Sequence, residues 1–591
     1  MILPTTDIEL AKSVTYLIDR CMSTREDRDR LYQFREKYYL FGTTGYQAAK
    51  YNRLMSHLDL VCSFLYAPDG AFYNIAAGQN EEEELVLRAT ALQNEFNDDF
   101  QDNGITDAIM DALPWSLVYD TMILKQGWNR DRGEWFCELI PPHNFGVYRE
   151  DIKGLDSQPC FCHSYFIDYQ AAVGKMIRAG MASDVSRLAI TRSPTISEFP
   201  SMLQRMVIAG TGGSNLQGSI FGNINPDYAP VSTYQPASEV PLVRFNELWV
   251  WDDASTDFRI IHTLASSSSD ASGIIIGDSK KIIGAYKLSD RSKVVPLFNR
   301  LDIKGHKPSS ETNYFLPGCH PFSVIQPFGK YNYFWGLSHV DNLIPLQDWM
   351  LERLDQISDI LERQADPARV ASGGLGLTEQ KMAAFGGAGT YLFDQLPQFK
   401  VEEMAPNMPT DIFTEFKEIA AMFLEASGLT ELLTGRGEQG VRSRAHASQL
   451  KQTGAGRIKK AALSLESPLI KVGDIGLKLK MAHDDDKIKL PEHDDGRKRE
   501  PFLPCEVGDV KMKIRGHAFS PLFSDETKEF AVMARKLGAI DNEMFVQLMN
   551  PPEKANIIHA LRARAKMQRS MAMRGLLPQP QGQRSHKRRT G

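Results

Sequence analysis

One stretch of the sequence has a regular helical alternation of apolar and charged positions. Apolar residues recur there at intervals of three and four, which places them along one stripe of an α-helix. Asp341 or Asn342 can cap its start, Pro345 is tolerated only in a first turn, and Asp366-Pro367 ends it. The pattern predicts a rod of about 20 residues, roughly 30 Å long. Its apolar stripe consists of Leu343, Leu346, Met350, Leu354, Ile357 and Leu361.

A second helix with the same kind of stripe is predicted further along the chain. Pro409-Thr410-Asp411 provides its start and Gly428 its end. A narrow apolar stripe on a charged rod favours packing between rods, although a surface helix on a large domain has the same pattern. Both interpretations stay open at this point. The second stripe consists of Ile412, Phe416, Ile419 and Phe423.

The interval between the two rods has a different composition. It is rich in glycine, and its pattern predicts a short helix near Thr378–Phe385 and strands at Tyr391–Phe393 and Phe399–Glu402. This indicates a compact insertion, so that two rods flank a small protrusion.

The rest of the chain mixes helical and strand-like periods, which makes the expected fold class α+β. Helices are predicted over Ile8–Tyr38, Leu85–Phe100 and much of Asp525–Arg574. The predicted strands are Leu117–Leu124, Glu134–Ile140, Phe145–Tyr148, the hairpin pair Leu242–Trp251 and Phe258–Leu264, and Cys505–Arg515.

A cationic, glycine-rich segment follows the second rod. Thr434–Arg444 holds three arginines, Arg436, Arg442 and Arg444, against one glutamate, and its glycines favour a loop. Beyond it, Ala445–Ala482 has the pattern of another long helix, in which Gly454 and Gly456 favour a kink.

Charge is unevenly distributed along the chain. The net charge is −6, but Leu561–Gly591 contains nine Lys/Arg and no acid, so the preceding 560 residues carry −15. Such an end can contact polyanions, or it can be a disordered solubilising tail. Seven scattered cysteines favour a reducing compartment. The sequence has neither an apolar run of about 18 residues nor a leader pattern in Met1–Glu9, so we expect no membrane insertion or export.

Motifs for catalysis are weak or missing. The sequence contains no G-x-x-x-x-G-K-[ST] phosphate loop. Cys160, Cys162 and His163 could ligate zinc, but without a second ligand pair the two cysteines more simply share one face of a strand. The acidic run His483–Asp495 could form a nuclease metal cluster, although its interspersed lysines and arginines favour a solvated connection. We expect no catalytic, cofactor or metal site.

The order of these parts resembles the portal protein family of tailed bacteriophages. The resemblance is carried by "HPFSVIQPFGKYNYFWGLSHVDNLIPLQDWMLERLDQISDILERQADP", the protrusion, the second rod and "SGLTELLTGRGEQGVRSRAHASQL", and it is detailed from about Val118 to Leu465. It implies a portal fold with a β-containing wing, a two-helix stem, a small α/β clip and a helical crown, assembled as a closed ring.

Matched to this chain, the resemblance implies eight segments. They are a wing over 1–330, a descending stem helix over 331–365, a clip over 366–409, an ascending stem helix over 410–428, a channel loop over 429–445, a long wing helix and returning strand over 446–520, a crown over 521–575 and a basic tail over 576–591.

The function implied by the resemblance is that of a non-enzymatic ring, twelve copies at one capsid vertex, through which the genome enters and leaves. The implied partners are other copies of the chain, double-stranded DNA bound without sequence preference, the terminase large subunit, the head–tail adaptor, and the major capsid and scaffolding proteins. The implied location is the virion, with the host cytoplasm during assembly. Arg436, Arg442 and Arg444 would contact phosphates transiently, or would pair with acids of the neighbouring subunit. The rival hypotheses are another head-to-tail ring component and a metal-dependent nuclease.

Overall fold

The chain was analysed as a computed structural model. It describes residues 7–23, 25–44, 51–66, 73–77, 83–129, 132–193, 240–253, 257–267, 273–278, 319–365, 368–372, 390–393, 400–404, 411–429, 456–484, 486–490, 499–507, 510–514, 520, 530–549, 557, 560, 561 and 564.

Five helices precede the first large sheet, and three of them, α1, α2 and α4, lie where the helical spacing predicts helices. Pairs α2 and α3, α2 and α5, and α3 and α5 pack against each other, which buries their apolar stripes. Their bounds are α1 Asp7–Met22, α2 Arg25–Phe41, α3 Arg53–Leu65, α4 Glu83–Asp102 and α5 Ile105–Tyr119.

The strand predicted over Leu117–Leu124 is wrong in its first half. Leu117 belongs to the last turn of α5, which ends at Asp120 in the left-handed conformation with φ of 73°. Helix α5 is apolar on several sides because it is buried, so its sequence gives no clear helical stripe. The strand itself begins at Met122. It is the central member of a three-stranded antiparallel sheet in the order β10-β2-β3, with β2 Met122–Asn129, β3 Glu134–Ile140 and β10 Phe322–Ile325.

A second, six-stranded sheet contains the predicted hairpin. Its long strands β7 and β8 are antiparallel, with Trp251 opposite Phe258 next to the turn. The sheet runs β4-β5-β7-β8-β9, and β6 pairs with β7 outside this path. Helix α6, Tyr169–Arg178, packs against β5 and β7. The strands are β4 Phe145–Val147, β5 Cys160–Asp168, β6 Ile190–Ser193, β7 Val240–Asp252, β8 Asp257–Leu264 and β9 Ile274–Asp278.

The two rods and the insertion between them are present as helix, sheet and helix. Helix α7, Ile344–Ala365, has Pro345 in its first turn as expected. Helix α8, Asp411–Ser427, packs against α7. The three strands between them form one sheet in the order β12-β11-β13, in which β12 is parallel and β13 antiparallel to β11. These strands are β11 Ala368–Ser372, β12 Thr390–Phe393 and β13 Lys400–Met404.

The long helix α9, Gly456–His483, lies across α3, β2, β10 and the C-terminal strand β14, Val510–Ile514. Two of its glycines permit this close packing. A Cβ on Gly476 would lie 2.3 Å from Cζ2 of Trp135, and one on Gly473 would lie 2.5 Å from Cε1 of Tyr73. Residues 445–455 of the helix predicted over Ala445–Ala482 lie outside the described part of the chain.

The C-terminal region returns to the N-terminal one. Strand β14, Val510–Ile514, pairs antiparallel with β1, Tyr73–Ala77. Of the strand predicted over Cys505–Arg515, only the second half is a strand, because Pro504–Val507 forms a 3-10 turn. Residues 530–536 and α10, Asn542–Met549, are helical.

One large apolar core joins most of these elements. It contains side chains from α2 to α5, from β2 and β3, from the first turns of α7, from the end of α8 and from the length of α9. Smaller clusters fill the spaces on either face of the six-stranded sheet. The chain thus combines helices with mostly antiparallel sheets, and the α+β fold class is confirmed.

Candidate functional site

The most distinctive feature of the fold is the antiparallel pair of helices α7 and α8. The start of α7 and the end of α8 are both buried in the main core, whereas the end of α7 and the start of α8 adjoin the three-stranded sheet. Halfway along the pair, Nε of Arg353 lies 2.9 Å from Oε1 of Glu415, which joins the two helices. The pair is therefore rooted at one end and carries a small sheet at the other.

Burial along the pair falls steadily from the root outwards. On α7, Met350 is buried and Leu361 is 50% exposed. On α8, Phe423 is buried, whereas Phe413, near the opposite end, is 48% exposed. Apolar side chains at the outer end are left uncovered by the described part of the chain, and they are available to another molecule.

The expected stem-packing residues consequently divide into two groups. Leu343, Met350, Ile419 and Phe423 pack within this chain's own core. The other six are at least partly exposed, although Leu346 and Phe416 also pack against the core. They are Leu346, Leu354, Ile357, Leu361, Ile412 and Phe416.

An arginine on α2 fixes the start of α7. The side chain of Arg35 is 5% exposed, and its Nε and Nη2 each donate to a carboxylate oxygen of Asp341 at 2.7 Å. Its Nη1 donates to Oδ2 of Asp120 at 3.2 Å. Burial raises the pKa of Asp120 to about 6, although Arg35 acts in the opposite direction. Asp341, which was expected as a possible helix cap, thus binds α2 through both carboxylate oxygens.

A buried glutamine fixes the first turn of α7 to the segment before α3. Nε2 of Gln347 donates to the carbonyl of Tyr51 at 2.7 Å, and its Oε1 accepts from the backbone N–H of Arg53 at 3.3 Å. One residue further on, Asp348 accepts from the hydroxyl of Tyr38 at 2.8 Å. These polar anchors were not predicted from the sequence. A glutamine beside the apolar stripe was the available signal, but it does not identify its partners.

A buried histidine lies where the root of the pair meets α9. The ring of His339 is 1% exposed and stacks on Phe328, with the ring centroids 5.1 Å apart. Burial and the nearby Arg457 guanidinium lower the pKa of His339 to about 4. Arg457 in turn donates to the carbonyl of Ala426 at 2.7 Å. The end of α8, the start of α7 and the start of α9 are thereby joined at one point.

The turn after α8 requires a glycine. Gly428 has φ of +75°, and a Cβ there would lie 3.2 Å from Cβ of Arg457. The backbone N–H of Leu429 reaches back to the carbonyl of Leu424 at 3.2 Å, which closes the helix. Gly428, expected from the sequence to end the helix, does so.

The helix pair is acidic. Helix α7 contains five acidic and two basic residues, and α8 contains four acidic and one basic residue, so the pair carries a formal charge of −6. Arg436, Arg442 and Arg444 lie outside the described residues, and so does the short helix predicted near Thr378–Phe385.

The described residues give no support to a metal centre. Cys160 and Cys162 lie on one face of β5 in an apolar cluster with α1, as expected for a strand. His163 approaches Glu247, with its Nδ1 3.7 Å from the carboxylate. Within the described ranges, no group of three or more His, Cys, Asp or Glu side chains is placed to hold a metal ion.

The acidic run expected as a possible nuclease cluster is only partly described. His483 stacks on Trp128 with a centroid distance of 6.1 Å, and Asp484 pairs with Lys480 at 3.0 Å. His493, Asp494 and Asp495 lie outside the described residues. None of the helices that the structure describes is both long and apolar enough to cross a membrane.

Comparison with known proteins adds no identification. No protein-family model matches the chain, and no curated protein is significantly similar to it in sequence.

Proposed function

We propose that this chain is the repeating, non-enzymatic subunit of a closed ring that conducts double-stranded DNA, as the portal protein of a tailed bacteriophage does. The observation that carries the proposal is the helix, sheet and helix unit formed by α7, the three strands between Ala368 and Met404, and α8. Its root is fixed in the core, and apolar side chains at its outer end are exposed. If these side chains bind an identical chain head to tail, the repeated contact forms a ring when the rotation between neighbouring chains closes.

The charge of the helix pair suits a channel for DNA. Conducting DNA requires weak contacts, since many tight phosphate contacts would hold it in place. A pair of helices with a charge of −6 repels phosphates. In this proposal Arg436, Arg442 and Arg444 supply brief phosphate contacts against that acidic background.

The proposed role includes a location and partners. The ring would occupy one capsid vertex of the virion after assembly in the host cytoplasm, in contact with the major capsid and scaffolding proteins. The sheet at the tip of the helix pair would contact the terminase large subunit, and later the head–tail adaptor. Energy for DNA movement would come from the terminase partner.

The state of assembly is the direct test. Electron microscopy of the purified full-length chain should show rings with a central opening. Native mass measurement should give about 0.8 MDa for twelve copies of a 66.4 kDa chain. A chain that stays monomeric at every concentration would contradict the proposal.

A paired substitution tests the contribution of the helix pair. Leu361→Ser with Phe413→Ser should reduce the fraction of chains in rings, because both side chains are exposed at its outer end. The matched control is Tyr16→Ser with Ile177→Ser, which removes two large apolar side chains that are at least as exposed elsewhere and should leave the rings intact. Equal behaviour of the two variants would argue against this contact.

The three arginines are tested separately from ring formation. A variant with Arg436→Gln, Arg442→Gln and Arg444→Gln should assemble normally but change the amount of DNA packaged or retained in heads. If both amounts were unchanged, these arginines would have no role in DNA contact. If the variant failed to assemble, pairing with acids of the neighbouring subunit would be favoured.

A further inference from the structure

The C-terminal part of the chain has an unusual pattern of exposure. Among residues 530–539, only Ala531 and Ala534 are buried. The larger apolar side chains face outwards: Phe530 is 62% exposed, Met533 is 59% exposed and Leu537 is 77% exposed. This is the reverse of an ordinary surface helix, which buries its large apolar side chains.

The three exposed side chains form one stripe. Residues 530–536 are helical, so positions 530, 533 and 537 follow each other along one side. The helix is ended by Gly538 with φ of +71°, and the N–H of Ala539 donates to the carbonyl of Ala534 at 2.9 Å. The stripe therefore has a fixed geometry, and exposed apolar surface of this kind marks a contact with another molecule.

Charge identifies the partner of this stripe. Residues 530–540 contain Arg535 and Lys536 and no acid, whereas residues 541–549 contain Asp541 and Glu543 and no base. The guanidinium of Arg535 lies 5.8 Å from the ring centroid of Phe545, so the two helical segments are neighbours. The second segment also exposes an apolar side chain, Met544, which is 52% exposed. One unit thus presents a basic apolar surface beside an acidic apolar surface.

We propose that the Phe530, Met533 and Leu537 stripe binds helix α10 of the next copy of this chain. This inference rests on the proposed ring, in which every copy must present two different surfaces that fit each other. The basic segment 530–540 of one copy would then meet the acidic segment 541–549 of its neighbour.

The chain's own C-terminal end is a poorer occupant of this surface. It contains nine Lys/Arg and no acid between Leu561 and Gly591, and it would be repelled by Arg535 and Lys536.

Two charge variants of the full-length chain test the contact. In the acidic variant, Arg535→Glu with Lys536→Glu, both surfaces become acidic. In the basic variant, Asn542→Lys with Glu543→Lys, both become basic. Asp541 is kept, because its Oδ1 accepts from the N–H of Met544 at 2.7 Å and caps α10.

For either variant alone, the fraction of chains in rings should be lower than for the unchanged chain by about tenfold or more, because like charges then meet at every contact. An equimolar mixture should restore rings in which the two variants alternate, since each acidic surface then meets a basic one. Native mass spectrometry of the mixture reads this out, and a folding defect would not be rescued by mixing. Lys511→Glu with Lys513→Glu, an equal change at exposed positions of β14, is the control and should keep its rings.

The outcomes separate this inference from the proposed function. If the unchanged chain and both variants all formed normal rings, the proposed α10 contact would be wrong, whereas the proposed ring function would stand. An unchanged chain that never forms rings overturns both. If Phe530→Ser, Met533→Ser and Leu537→Ser left rings intact but exposed residues 565–591 to protease, the chain's own end would be the occupant and the inference would be wrong.

Discussion

Arg35 and Asp341 are 306 residues apart in the sequence and are joined by two hydrogen bonds of 2.7 Å. The same guanidinium also binds Asp120, so one buried arginine links α2, the end of α5 and the start of the helix pair. This cation between two carboxylates is therefore one of the anchors that hold the helix pair against the body.

Removing that cation should destabilise the chain. We expect Arg35→Met to lower the free energy of unfolding by about 3 kcal/mol at pH 7.5, because the buried Asp120 loses its nearest positive partner. The midpoint of urea unfolding measures this. Arg149→Met is the control, since Arg149 forms an exposed pair with Asp151 and should change the midpoint little. Equal shifts for both variants would contradict the assigned role of Arg35.

His339 should make the root of the helix pair sensitive to acid. Burial and Arg457 lower its pKa to about 4 in the folded chain, from an ordinary value of 6.5. The unfolded chain therefore binds a proton more readily, and the stability that neutral His339 provides above pH 6.5 is lost as the pH falls towards 4. The expected loss is about 2 kcal/mol at pH 5.

His339→Phe should remove this component, because phenylalanine keeps the stack on Phe328 and cannot be protonated. Urea unfolding of both chains at pH 7.5 and pH 5 gives the comparison, in which other titrating groups such as Asp120 largely cancel. The hypothesis fails if the two chains lose the same stability between these pH values.

A buried ion pair between strand β2 and strand β7 of the six-stranded sheet should show strong coupling. Nζ of Lys125 lies 2.9 Å from both carboxylate oxygens of Glu247, and both side chains are almost fully buried. Burial opposes ionisation of Glu247, but Lys125 and His163 hold its pKa well below the ordinary value. We expect Lys125→Met to cost about 3 kcal/mol or more, because a buried carboxylate is left without its cation.

Adding Glu247→Gln to Lys125→Met should recover much of this cost, since neither member of the pair is then charged. A double-mutant cycle of unfolding free energies measures the recovery. Strictly additive effects would show that the pair contributes no coupling.

The glycines of α9 should differ sharply in their tolerance of a side chain. A Cβ on Gly476 would meet Trp135 at 2.3 Å, so we expect Gly476→Ala to cost about 1–3 kcal/mol through overpacking. A Cβ on Gly456 would meet nothing within 4 Å, and Gly456→Ala should be neutral or slightly stabilising. Thermal unfolding of the two variants checks this, and a tolerated Gly476→Ala would mean that α9 can move away from β3.

Comparison of these glycines shows where local sequence patterns stop being informative. Gly454 and Gly456 are predicted to favour a kink because they lie in a helical pattern. The glycines that pack against Tyr73 and Trp135 are instead Gly473 and Gly476. A glycine that permits close packing cannot be distinguished from one in a kink without knowing what lies opposite. Likewise, the strand predicted from Leu117 failed because α5, buried on several sides, lacks the helical stripe of a surface helix.

The sequence by itself determined the elements that have a clear local pattern. The two rods follow from it, because a repeat of three and four residues records which side of a helix faces the core. Glu134–Ile140 and the hairpin of β7 and β8 follow from it because their β-branched and aromatic residues are bounded by turn residues. Only the tertiary structure decided that Met350 and Phe423 root the helix pair in the core while Leu361 and Phe413 are exposed, although all four have similar patterns. It alone also joined Arg35 to Asp341, since residues so far apart leave no local periodicity, and their contact exists only after the chain has folded.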